Sequence, residues 1–153
     1  MAVDLGDRRV GIAVSDPLGM IASPAGHVER RTGKRPPLTA LLARAVELGA
    51  EGFVVGLPLD EMGEDTPRAA EARRLGLELG KRTGNPVEMV DERYSTAAAL
   101  RAIKEMEGST RGRKGDVDAL AATILLRTAL DMMDSRDAGV QNASGGDAED
   151  PHG

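Results

Sequence analysis

A chain of 153 residues is long enough for one domain with a single sizeable core. Phe53 and Tyr94 are its only aromatic residues, so the core must be aliphatic and no base-stacking platform of the single-strand-binding kind is available. Cysteine is absent, the histidines are His27 and His152, and the net charge is −5; disulfides and thiolate or histidine-rich metal centres are excluded, leaving carboxylates to bind any hard cation.

The negative charge is unevenly placed. Residues 134–153 carry five acids against one base, a net of −4, which leaves −1 for residues 1–133. Bases gather in HVERRTGKR (27–35) and among Arg101, Lys104, Arg111, Arg113 and Lys114. Local potential matters more to a polyanion than the total does. No apolar run has the length of a membrane span and the N-terminus enters a strand directly, so a cytoplasmic location without a membrane partner is expected.

Residues 1–6 and 9–15 alternate as two strands joined by a tight GDR connection, and 19–29 supplies a third that Pro24 confines to an edge or a bulge. Apolar residues at 38, 41, 42, 45, 46 and 48 predict a helix that Gly49 ends. GFVVGLP (52–58) predicts a short strand covered on both faces. A helix from Pro67 to about Arg82 and a strand over 85–90 follow. Ser95 or Thr96 can cap a helix running to about Glu107, ahead of a basic loop at 108–115. The last helix is expected from about Asp116 to Met133, with a disordered stretch from Ala138 onward. This order, βββαβαβαα, predicts an α/β domain over 1–133: a mixed sheet of about five strands, three antiparallel and then parallel, with helices on both faces. Residues 134–153 form an acidic tail.

Within the first strand Asp4 stands on the sheet face opposite Val3 and Leu5, sharing it with Ala2 and Gly6. An unmatched carboxylate in a covered sheet costs several kcal/mol, on the order of the effective buried-ion penalty. Asp91, Glu92 and Arg93 lie at the end of the strand PVEMV, where open α/β sheets gather ligands. Asp118 shares a helical face with Ala121, Ala122 and Leu125, aimed at the core edge. Each acid alone has an ordinary explanation: a strand end, a pair with Arg93, or a helix N-terminal charge. Convergence of all three would require a divalent ion to offset their repulsion, and Mg²⁺ or Mn²⁺, singly or as a pair, is the usual device for attack of water on a phosphodiester.

VDLGDRRVGIAVSD, VVGLPLDEMGEDTPRA, VDERYST and RKGDVDALAATILL occur in this order between about residues 2 and 131. Together they resemble the YqgF/RuvX family, whose members are described as Holliday junction resolvases and as pre-16S rRNA processing nucleases. The resemblance implies an RNase H-like fold similar to that of the resolvase RuvC. It carries the catalytic, metal-holding acids onto Asp4, onto Glu92 with Asp91 as the close alternative, and onto Asp118. Tyr94, Leu126 and Asp116 depart from the family's usual residues without removing a ligand.

The function expected is that of a Mg²⁺- or Mn²⁺-dependent endonuclease acting in 5′-end maturation of pre-16S rRNA. Arg9, Arg68 and Arg93, with Arg111, Arg113, Lys114 and the loop at 30–35, would take the phosphate backbone. Structured RNA or branched DNA is the partner, and cleavage of a four-way junction would call for a homodimer. Two other classes compete. An actin-like ATPase needs two such domains, for which the chain is too short; a non-catalytic nucleic-acid-binding factor would not need all three acids.

Overall fold

A computed structural model describes residues 1–31, 33–96 and 114–148, with side chains except at 94, 114–116 and 137–148. Three strands open the chain: β1 (Ala2–Leu5), β2 (Arg9–Ser15) and β3 (Ala22–Glu29). They are followed by α1 (Leu38–Glu47), β4 (Phe53–Leu57), α2 (Pro67–Thr83) and β5 (Val87–Asp91). A single 3₁₀ turn (Glu92–Tyr94) leaves β5, and α3 spans Lys114–Ala148. The sheet order is β3-β2-β1-β4-β5; β1 pairs antiparallel with β2 and parallel with β4, β2 with β3 antiparallel, and β4 with β5 parallel. This is the RNase H-like mixed sheet that the resemblance implies.

Pro24 behaves as its chemistry demands. It stands on an edge strand opposite Ala13, where the β2–β3 register shifts, so its missing N–H leaves no ladder bond unmade. α2 begins with Pro67 in its first turn after the cap Thr66, whose Oγ accepts from Ala69 N at 3.1 Å and donates to Pro58 O at 2.7 Å. Gly84, at φ 72°, closes the helix in the left-handed conformation.

The strict alternation of β1 divides the core in two. Met1, Val3 and Leu5 pack with Val10, Ile12, Leu41, Val55, Leu75 and Leu79 beneath α1 and α2. Ala2 turns the other way, with Ala13, Val54 and Val90, against Ala121, Ala122, Leu125 and Leu126 of α3. Small residues on this second face let α3 lie close to the sheet.

Two expectations need correction and a third is out of reach. The sequence sets the end of the last helix near Met133 and disorder from Ala138 onward, whereas α3 starts at Lys114, close to the expected Asp116, and stays helical to Ala148. No proline interrupts the chain between Pro86 and Pro151, and glycine weakens a helix less than proline does. The helix expected to run to Glu107 and most of the basic loop after it lie outside the described residues, as do Arg111 and Arg113. Among the described residues, no helix is long and apolar enough to cross a membrane.

Candidate active site

Asp4, Glu92 and Asp118 are the buried charged residues of the described chain, at 2%, 3% and 6% exposure. Each reaches its place by a different route. Asp4 occupies the α3-facing side of the central strand β1, Glu92 sits in the 3₁₀ turn at the end of β5, and Asp118 lies in the first turns of α3.

Two glycines leave room for them on this face of the sheet. Asp4 is paired with Gly11 of β2, and continuing the β1–β4 register by one residue sets Gly56 of β4 on its other side. A Cβ on Gly11 would stand 2.1 Å from the Asp118 carbonyl oxygen. A Cβ on Gly56 would stand 2.6 Å from Glu92 Oε1 and 2.7 Å from Leu125 Cδ1. The absent side chains thus leave a cradle on both sides of Asp4, filled by the start of α3 on one side and the Glu92 carboxylate on the other. Asp4 Oδ1, Glu92 Oε1 and Asp118 Oδ2 are all shut off from solvent.

Burial pushes the Glu92 carboxyl up to about 7, a shift that the charge of Asp91 adds to and that of Arg68 opposes. Asp91 is the opposite case. Its Oδ1 accepts from Arg93 N at 3.0 Å and its Oδ2 from Arg93 Nη2 at 2.7 Å, and this pairing holds its carboxyl below the usual carboxylate range. Of the two neighbouring acids, Glu92 enters the cradle and Asp91 anchors Arg93.

The donor chemistry fits a hard divalent cation: buried carboxylates in a chain without cysteine. Their spacing is open. Among the described residues no three acidic or histidine side chains already close on one point as a metal cage.

Of the expected phosphate-binding arginines, Arg9, Arg68 and Arg93 are described, and each meets an acid. Arg9 Nε stands 3.9 Å from Glu29. Arg68, in the first turn of α2, donates Nη1 to Leu5 O at 3.2 Å and pairs with Asp7. Arg93 is held by Asp91. Lys114 opens α3. What the elements alone did not disclose was the pair of flanking glycines. The signal was present: a glycine inside a buried strand, as in VGIAV and VVGLP, marks a close approach.

Residues 1–132 match the family described as "RuvX: Holliday junction resolvase". A relative from Clavibacter michiganensis, named "Putative pre-16S rRNA nuclease", is 38% identical over 131 residues, covering 86% of this chain and 81% of its own. One of the same name from Myxococcus xanthus is 40% identical over 131 residues, covering 86% of each chain. Among solved structures, T. thermophilus RuvC in complex with a Holliday junction substrate aligns over 84% of this chain and 90% of its own, at 17% identity and a TM-score of 0.48. The chain belongs to the RuvX family.

Proposed function

We propose that this chain is a divalent-metal-dependent endonuclease that hydrolyses phosphodiester bonds during maturation of the 5′ end of pre-16S rRNA. The observation that carries the reading is the glycine-flanked gathering of Asp4, Glu92 and Asp118 on the α3 face. Asp4, Glu92 and Asp118 hold one or two Mg²⁺ or Mn²⁺ ions, which supply Lewis acidity toward water and the phosphate oxygens. Burial keeps a proton on the Glu92 carboxyl up to about 7, and that carboxyl would give up the proton on holding a cation. Arg68 fixes the end of β1 through Leu5 O and so holds Asp4 in register. Arg9, Arg68 and Arg93, with Arg111, Arg113 and Lys114, steer the phosphate backbone toward the acids without reading its sequence.

The names of the curated relatives support rRNA processing, and the family's description supports a second reading, cleavage of four-way DNA by a homodimer. One experiment decides between them. A structured rRNA precursor and a four-way junction are incubated side by side with Mg²⁺, Mn²⁺ or EDTA, using the parent and the Asp118→Asn protein. Metal-dependent cleavage of the RNA, lost in Asp118→Asn, is the expected result. Cleavage of the junction alone moves the assignment to resolvase, and cleavage that survives EDTA and Asp118→Asn ends the metal-nuclease reading.

A further inference from the structure

Four exposed cations, Arg8, Arg31, Lys34 and Arg35, stand at the end of the sheet where β1 finishes, on a base held by several hydrogen bonds. Arg30 follows β3, and its side chain is 6% exposed although its backbone is more open. It donates Nη1 to Gly6 O at 2.9 Å, Nε and Nη2 to Lys34 O at 3.2 and 3.0 Å, and Nη2 to Glu71 Oε2 at 2.6 Å. Gly6 lies two residues beyond Asp4, and Glu71 stands one turn after Arg68 on α2. A single guanidinium therefore fastens the chain after β3 to the end of β1 and to the helix that holds Leu5.

The turn it holds is tight: Lys34 N donates to Arg31 O at 3.0 Å, and Gly33 adopts φ 78°. Arg30 N donates to Arg8 O at 2.8 Å, which sets the β1–β2 connection alongside. Arg8, Arg31, Lys34 and Arg35 are exposed, and their side chains form no ion pair among the described residues. The nearby acids are otherwise engaged, Asp7 by Arg68 and Glu29 by Arg9 and His27. Because β3 ends where β2 begins and β1 finishes, these cations lie at the same end of the sheet as Glu92.

We propose that Arg30 is a positioning residue: it holds Arg8, Arg31, Lys34 and Arg35 as an anchoring surface for nucleic-acid phosphates flanking the cleaved bond. This rests on the nuclease reading above. Unpaired cations on a fixed mount suit a repeating polyanion, which gains from several contacts without each side chain being ordered anew.

The test measures binding and cleavage separately. In an Asp4→Asn background, fluorescence anisotropy follows a labelled structured RNA and a labelled four-way junction across a salt series. Combining Arg31→Gln, Lys34→Gln and Arg35→Gln should weaken binding about tenfold or more and flatten the slope of log K against log salt by about 2. In the cleaving protein the same changes should raise KM about tenfold while kcat stays within about twofold. Arg30→Lys keeps the charge but loses the fork, so it should weaken binding as Arg30→Gln does. Parental affinity and salt slope in the triple variant would overturn the proposal. So would Arg30 variants that lower Tm while leaving KM and slope untouched. Weakened binding of polyglutamate with unchanged nucleic-acid binding would overturn it in favour of an acidic protein partner. A parent that binds both nucleic acids but cleaves neither sinks the nuclease reading instead, and leaves the binding arm to decide this one.

Discussion

Gly56 lies directly beneath the Glu92 carboxylate, so close that a Cβ there would stand 2.6 Å from Oε1. The neighbours of that Cβ are both side-chain ends, Glu92 Oε1 and Leu125 Cδ1. Gly56→Ala should therefore cost about 1–3 kcal/mol of stability, the usual range for an overpacked core, while displacing the carboxylate and lowering cleavage at least tenfold, roughly the effect of a misplaced catalytic group. Gly11→Ala meets a backbone carbonyl, that of Asp118, at 2.1 Å. A helix must then move, so its stability loss should exceed that of Gly56→Ala. Denaturant midpoints and initial rates for the two proteins check the pair, and a Gly56→Ala protein cleaving at the parent's rate would show that Glu92 does not need its seat.

The buried Glu92 makes stability fall as pH rises. Its carboxyl titrates at about 7 in the fold against an ordinary 4.5. Between these values the folded chain keeps a proton that the unfolded chain has lost, so the contribution is full below 4.5 and gone once pH has risen through 7. The interval is worth up to about 3 kcal/mol at ~1.4 kcal/mol per unit. In EDTA the parent should have a lower denaturation free energy at pH 8 than at pH 5.5, and Glu92→Gln should flatten that difference. Equal slopes in both proteins would place the titration elsewhere.

Much of this was legible in the sequence because period and chemistry coincide. Met1, Val3 and Leu5 alternate against Asp4, and that alternation alone assigns Asp4 to the α3 face. Asp118 lies in register with Ala121, Ala122 and Leu125, and all three pack on that face as helical spacing requires. What was not legible depends on contacts between distant segments. Nothing local distinguishes Asp91 from Glu92 until the 3₁₀ turn sends one toward Arg93 and the other inward. Arg30 reads as one base of the run at 27–35 and Arg68 as a phosphate-binding arginine, yet both bind carbonyls at the end of β1, at Gly6 and Leu5. The end of the last helix was also poorly marked, since residues 134–148 carry no proline.

A cation held by the acids should stabilise the folded chain, because a ligand that binds only the native state adds RT ln(1 + [L]/Kd), about 2.7 kcal/mol at a hundredfold excess over Kd. Thermal denaturation at pH 8 with Mn²⁺ or Mg²⁺ should raise the parent's Tm by several degrees. Asp4→Asn and Glu92→Gln should abolish the shift, since each removes a charge from the cradle. Retention of the full shift in both variants would locate the ion away from the α3 face.

The choice between the neighbouring acids can be made by combining the two readouts. Asp91 is fully occupied in fixing Arg93, whose Nη1 also donates to Glu61 O at 3.4 Å, so the pair ties the end of β5 to the loop after β4. Asp91→Asn keeps the shape and loses the charge; it should cost about 1 kcal/mol, as a partly exposed ion pair does, and leave the metal-induced Tm shift in place. Glu92→Gln should remove that shift and lower kcat by roughly a hundredfold or more, because a charged ligand of the ion is lost. The reverse pattern, with the shift lost in Asp91→Asn and kept in Glu92→Gln, would transfer the ligand to Asp91. That outcome would require Asp91 to release Arg93 on metal binding, because a carboxylate in a bidentate hold has its oxygens already committed to the guanidinium.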